Sequence, residues 1–350
     1  MKKYFMNRKE DVKMVNDNFL FPSTVLVEPT NICNINCKMC EARCSVTKNI
    51  EKKFLTPEQL NTILRKLDKY IINVVFQGDC EPTMNPYLPD LCAVASKYTK
   101  QVGLVSNGTM LKDRYIKNLV DSGLTWFALS IDDHRPEKYE AIRVGASFKR
   151  VVENLQTLVK VRENGNGKLN IVTHKIVFPE DTIEDLEEYI HTFYVENRVN
   201  KITFAPLVEE GSTMVKNWIE MRNELENRLI RQNININLRD FANYPYRTMH
   251  KYCGTNLFFI NHEGNFNCCG LHTRLNRKFG NLITEELEDI VQRENFLEYH
   301  KFWLERDYNN KIPTVCRNCY LLKSSYFTYC LDEGLDAADS FESKTSDVAS

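Results

Sequence analysis

From Thr24 to about Ala205 the chain alternates short apolar, β-branched runs with segments whose apolar residues recur every three or four positions. Short apolar runs bounded by turn residues predict buried strands, and a 3.6-residue recurrence predicts amphipathic helices. The runs at 24–28, 73–77, 101–105, 125–130, 169–177 and 200–205 are therefore predicted strands. The predicted helices lie near 57–69, 87–99, 111–122, 147–163 and 181–195. The first of these opens on Thr56-Pro57-Glu58-Gln59, a cap residue followed by a first-turn proline and an early acid. Six strands alternating with helices predict an α/β fold with a parallel sheet and right-handed crossovers. The pattern alone leaves open whether that sheet is flat or curved.

After residue 205 the pattern changes. Residues 214–231 predict one charged amphipathic helix, and Ile234-Asn235-Ile236-Asn237-Leu238 has the period-two alternation of a strand. Further on, Asn256–Ile260 and Phe266–Cys268 flank His262-Glu263-Gly264-Asn265 and predict a hairpin, followed by helical segments at 284–292 and 295–307. The expected organisation is an N-terminal arm or helix over 1–21, a core over 22–205, a connector over 206–240, a small domain over 241–330 and an acidic, serine-rich disordered tail over 331–350.

Composition narrows the class. The 350 residues carry 46 basic and 47 acidic side chains for a net charge of -1, which gives no electrostatic footprint for nucleic acid or an anionic membrane. No apolar run approaches the roughly 18 residues needed to span a bilayer, and the first residues lack the apolar stretch of a secretory signal. Twelve cysteines are too dilute for a disulfide scaffold. The expectation is a cytoplasmic protein whose cysteines are metal ligands rather than bridges.

The chemistry concentrates at Cys33-Asn34-Ile35-Asn36-Cys37-Lys38-Met39-Cys40, directly after the first strand. Three thiols this close can converge on one metal centre, yet a closed zinc site or a fully ligated iron–sulfur cube takes four protein ligands. Three leave a coordination position for chemistry. This Cys-x3-Cys-x2-Cys loop resembles the signature of the radical S-adenosylmethionine (SAM) enzymes, with Met39 at a position that is often aromatic in that family. The resemblance implies a partial (β/α)6 barrel with its active site at the C-terminal strand ends. It also implies that Cys33, Cys37 and Cys40 hold a [4Fe–4S] cluster, whose open iron takes the amine and carboxylate of SAM. In that family one electron, from a donor such as flavodoxin or ferredoxin, then cleaves SAM to a 5′-deoxyadenosyl radical that removes a hydrogen atom from substrate, and the resemblance implies the same here.

Other loops fit the same resemblance. Gly78-Asp79-Cys80-Glu81-Pro82 is similar to the family's Gly-Gly-Glu-Pro segment, with Asp79 and Cys80 as departures, and implies SAM-ammonium contacts near Gly78 and Glu81. Ser106-Asn107-Gly108-Thr109 and Leu129-Ser130-Ile131-Asp132 resemble the segments that line the ribose and carboxylate of SAM, so Ser106, Asn107, Ser130 and Asp132 are candidate hydrogen-bonding residues. Arg143 fits an arginine that follows them and is a candidate clamp for the SAM carboxylate or an anionic substrate group, with a surface ion pair as its ordinary alternative. His174 is a candidate proton-transfer residue whose ordinary alternative is structural.

A second cysteine set comprises Cys253, Cys269, Cys316 and Cys319, with Cys268 one residue off the spacing and Cys330 beyond. Four thiols close a tetrahedral zinc or a cube, and spacing alone fits both equally. Cys-x10-Gly-x4-Cys, the Gly280-Asn281-Leu282-Ile283 stretch and the final Cys-x2-Cys resemble the SPASM or shorter twitch extension, which implies one auxiliary [4Fe–4S] cluster. The expected function is oxidation or epimerisation of a sugar- or aminoglycoside-like small molecule. The alternatives are modification of a peptide substrate and, in a different class, a non-catalytic zinc-binding module; an RNA substrate is disfavoured by the neutral charge. Epimerisation needs a hydrogen donor, for which Cys268 and Cys80 are the candidates.

Overall fold

A computed structural model of the chain describes residues 12–14, 20–22, 24–40, 51–165, 169–207, 214–232, 234, 257–267 and 278–305. At its start β1 (Val12–Met14) pairs antiparallel with β2 (Leu20–Pro22), so the described part of the arm is extended rather than helical. Next come β3 (Thr24–Val27), the two-residue β4 (Asn36–Cys37), α1 (Pro57–Leu67), β5 (Asn73–Phe76), α2 (Leu88–Ala95), β6 (Val102–Ser106), α3 (Asp113–Asp121) and β7 (Trp126–Ser130). They are followed by α4 (Pro136–Ile142), the short β8 (Arg143–Val144), α5 (Phe148–Asn164), β9 (Asn170–Val177), α6 (Ile183–Ile190), β10 (Lys201–Pro206) and α7 (Met214–Arg231). The C-terminal part contributes β11 (Leu257–Ile260), β12 (Asn265–Asn267), β13 (Gly280–Asn281), α8 (Leu287–Ile290) and α9 (Glu294–Glu305).

Local signals set the first helix as predicted. The Thr56 hydroxyl accepts from the Gln59 N–H at 3.3 Å and the Gln59 side chain accepts from the Thr56 N–H at 3.0 Å, a reciprocal capping box with Pro57 in the first turn. Leu60, Ile63, Leu64 and Leu67 then form its buried face. α6 runs on into a π-helical turn over His191–Glu196, which accounts for the longer helix predicted there.

One sheet carries the core in the order β10-β9-β7-β6-β5-β3-β11-β12-β13. The six predicted strands lie in it as parallel neighbours in chain order, with no reversal of direction. Right-handed crossovers that never reverse put every helix on one face, and a twisted sheet covered on one face curls around the other. That settles the curvature that the pattern left open. β11 adds a seventh parallel strand beside β3, and β12 and β13 continue the sheet antiparallel. The sequence predicted the β11–β12 hairpin but not its fusion to the barrel sheet.

The two faces separate by strand alternation. Val25, Val27, Val74, Phe76, Leu104, Phe127, Leu129 and Ile171 face the helices within the main core. Leu26, Val75 and Phe259 point the other way and pack with Val105 and Trp126 as a second, small apolar cluster. This cluster floors the lumen. Gly103 makes room for it, since a Cβ there would lie 2.0 Å from the Trp126 ring. On β9, Ile171, Thr173, Lys175 and Val177 are buried under the helices, whereas Val172, His174 and Ile176 share the lumen face.

Candidate active site

The cysteine loop leaves β3 at the C-terminal edge of the sheet. Its stem is pinned first: the Asn85 amide donates to the Pro29 and Leu55 carbonyls at 2.8 and 3.0 Å, and the Thr30 hydroxyl donates to the Lys53 carbonyl at 2.9 Å. Cys37 lies in β4, which pairs antiparallel with β8, and the Lys38 N–H donates to the Ile142 carbonyl at 2.9 Å. The Cys40 N–H closes a turn onto the Cys37 carbonyl at 3.1 Å. Neither β4 nor β8 has a periodic signature, so two-residue strands of this kind are invisible to hydrophobic patterning.

The predicted loops converge on these thiols. Asn107 donates to Asn34 Oδ1 at 2.9 Å and sits 3.9 Å from Cys33 Sγ, while Asn34 donates to the Thr109 hydroxyl at 2.7 Å. Two amides thus lock the cysteine loop to the Ser106–Thr109 loop. Gly108, at φ +75, supplies the left-handed turn between them.

Arg143 is buried, not on the surface. Its Nε lies 2.7 Å from Asp132 Oδ2, though off hydrogen-bond alignment, and its Nη1 faces Cys37 Sγ at 3.7 Å. Asp132 also accepts from the Ile176 N–H at 2.9 Å. One cation therefore connects the end of β7, the cysteine loop and β8.

Glu81 is buried and saturated. Its Oε1 accepts from the Thr83 N–H at 3.1 Å, the Thr83 hydroxyl at 2.6 Å and the Ser106 hydroxyl at 2.7 Å, and its Oε2 accepts from the Asn107 N–H at 2.7 Å. Burial raises its pKa while these donors pull it down. Four donors on about four lone-pair sites make this side chain the tie between the β5 and β6 loops. Gly78 is a cradle position: a Cβ there would stand 2.5 Å from Glu28 Cγ. Cys80 is half-buried in the same loop, and Cys92 is fully buried on α2, where it packs as a small hydrophobe. Ser130 is half-buried at the end of β7, in register with His174. His174 reaches the lumen surface yet is walled by protein, and burial lowers its pKa to about 4, so it is neutral near pH 7.

Burial pushes the Cys33 thiol up to about 12 and raises Cys37 as well, with Arg143 opposing it at Cys37. Buried sulfurs of this kind ligate as thiolates only when a cation compensates them. Among the described residues no three His, Cys, Asp or Glu side chains gather tightly enough for a single ion. A cube spreads its ligands over separate corners rather than within about 2.3 Å of one metal atom. Three soft thiols, with Cys37 beside a buried guanidinium, fit the iron–sulfur group that the sequence implies. Cys253, Cys268, Cys269, Cys316, Cys319 and Cys330 lie outside the described residues, as do Leu331–Ser350 and all of Ile234–Leu238 except Ile234.

The radical SAM superfamily model matches residues 27–193, and the SPASM model, an iron–sulfur cluster-binding domain, matches residues 252–320. A GTP 3′,8-cyclase of Alkaliphilus metalliredigens is 30% identical over 158 residues, 45% of this chain and 48% of that protein. An S-adenosylmethionine-dependent nucleotide dehydratase of Flammeovirga pacifica is 35% identical over 126 residues, 34% of this chain and 41% of that protein. The chain thus spans about half the length of the curated relatives it matches. Among solved structures, Streptococcus suis SuiB bound to S-adenosylmethionine superposes with a TM-score of 0.65 at 16% identity, covering 87% of this chain and 72% of that one. Native anSMEcpe with bound AdoMet gives 0.61 at 15% identity, covering 86% and 87%.

Proposed function

We infer the reaction from one premise: this chain belongs to the radical SAM superfamily and carries a C-terminal SPASM iron–sulfur cluster-binding domain. The two domains imply SAM and two [4Fe–4S] clusters as cofactors. When bound, they supply a 5′-deoxyadenosyl radical and a nearby electron acceptor.

The chain's own residues then have separate tasks. Cys33, Cys37 and Cys40 hold the SAM-binding cluster, and Arg143 balances thiolate charge at Cys37 while Asp132 fixes its orientation. Glu81, Asn107 and Asn34 hold the loops around it in one arrangement. Ser106, Ser130 and Gly78 line the SAM site, and Cys253, Cys269, Cys316 and Cys319 ligate the auxiliary cluster. Leu26, Val75, Phe259, Val105 and Trp126 form the apolar floor of the lumen and would keep water out of a radical reaction there. The observation that carries this reading is the convergence of the cysteine loop, Asn107 and Arg143 at one end of the parallel sheet.

The substrate reading is a hydroxylated, sugar-like small molecule, oxidised by two electrons or epimerised at carbon. Oxidation would need an electron acceptor, which an auxiliary cluster held by Cys253, Cys269, Cys316 and Cys319 would supply; epimerisation would need a hydrogen donor, for which Cys268 and Cys80 are the candidates. A peptide substrate is the second reading, favoured by SuiB, solved with its precursor peptide SuiA, and by anSMEcpe, solved with the Cp18Cys peptide. Among the described residues no helix is long and apolar enough to cross a membrane. Turnover with candidate sugars and peptides, read by product mass, tests both: a two-dalton loss marks oxidation, and unchanged mass with altered retention marks epimerisation. An absence of 5′-deoxyadenosine under reducing, anaerobic conditions overturns the reading.

A further inference from the structure

β11 lies parallel to β3 with Ile260 opposite Val27, so both strands leave the sheet at the same end. The residues just beyond them meet there. Glu28 is 5% exposed, and its N–H donates to the Ile260 carbonyl at 2.8 Å. Its carboxylate faces two ways. Oε2 accepts from the Asp79 N–H at 2.8 Å, and Oε1 lies 3.3 Å from His262 Nδ1. The α-carbon of Gly78 packs directly on the Glu28 side chain, since a Cβ would stand 2.6 Å from Oε2. Around this contact the Glu263 carboxylate pairs with Lys53 at 2.7 Å, an exposed pair that contributes little by itself. None of the tasks assigned above uses Glu28 or His262.

We propose that Glu28 and His262 are a positioning couple that transmits the seating of the C-terminal hairpin to the SAM-facing loop at Gly78–Asp79. Glu28 is the shared acceptor. With His262 in place, the carboxylate is held at the height where it takes the Asp79 N–H and supports Gly78 from below. Without His262, Oε1 is left buried and unpaired, and the side chain turns toward other donors, releasing Asp79. The auxiliary domain and the SAM loop are then coupled through one carboxylate, although no residue of the hairpin belongs to the SAM loop itself. The inference rests on the radical SAM reading for the identity of the bound molecule, but the mechanical link does not.

The test is made on the full chain with both clusters reconstituted. His262→Phe removes the partner and keeps the bulk; His262→Gln restores an N–H donor. Two measurements are taken: amide hydrogen exchange at Asp79 without SAM, and SAM affinity by equilibrium dialysis, with iron content checked in each variant. The expected result is faster exchange at Asp79 and about ten-fold weaker SAM binding in His262→Phe, the effect of one buried unpaired group. His262→Gln should recover most of both, with iron unchanged. Should His262→Phe not fold, Glu28→Gln, which keeps one acceptor oxygen, gives the same readouts and is expected to accelerate exchange at both Asp79 and the 261–265 turn. If Asp79 exchange and SAM affinity stay at wild-type values while only the 261–265 amides open, the couple is a local hairpin contact and the proposal is wrong. Wild-type protein that binds no SAM sinks the functional reading instead, and the exchange data still decide the link.

Discussion

Arg143 and Asp132 meet at 2.7 Å, both buried, and the same guanidinium lies 3.7 Å from Cys37 Sγ. Burial opposes the Arg143 charge, while Asp132 and Cys37 stabilise it. Removing one member of such a pair leaves the other charge buried and uncompensated.

Arg143→Ala is therefore expected to lower stability by about 3–5 kcal/mol, and Asp132→Asn placed in the same chain should recover part of that loss. Anaerobic urea unfolding of the two single variants and the double variant checks it. Additive losses would show that the two residues act independently.

Gly103→Ala is expected to cost about 1–3 kcal/mol, because its Cβ would overlap the Trp126 ring on the lumen floor. Trp126→Phe in the same chain should relieve most of the cost. Thermal unfolding of both variants measures this; an unchanged midpoint in Gly103→Ala would contradict the packing of Trp126 over Gly103.

Asp133 gives a pH signature. Burial pushes its carboxyl up, but hydrogen bonds from Arg135 with the charges of Lys175 and Lys138 outweigh that and hold it at about 2. Its ionised form is favoured in the fold, so its contribution is fully present above the unfolded value of about 3.9 and is lost as pH falls through about 2. Allowing for solvent screening at the half-exposed Arg135, the contribution is on the order of 1–2 kcal/mol. Wild type should lose stability more steeply than Asp133→Asn between pH 5 and about 2.5, as read by urea midpoints. Parallel curves would remove Asp133 from the acid response.

The six barrel strands were legible because each is a short apolar run ended by a turn, and observed Thr24–Val27, Asn73–Phe76 and Asn170–Val177 differ from the predicted spans only at their ends. The helix Pro136–Ile142 and the paired dipeptides Asn36–Cys37 and Arg143–Val144 were missed, since seven residues and two residues carry too little periodicity. Arg143 was found through motif spacing, but its burial was not, because its pairing with Asp132 is made around the intervening helix Pro136–Ile142, which the pattern did not show. Glu28 gave no signal: its partners Asp79 and His262 lie 51 and 234 residues away. Proximity of this kind is set by strand order, which local pattern does not encode.

The most direct test counts iron. Anaerobically reconstituted protein is expected to hold about eight irons, four for each cube, and to release 5′-deoxyadenosine from SAM on reduction. With Cys33, Cys37 and Cys40 all replaced by alanine, iron should fall to about four and 5′-deoxyadenosine should vanish, the auxiliary cube remaining. A triple variant that keeps its full iron and still cleaves SAM would contradict the assignment of these three thiols as the ligands of the reactive cluster.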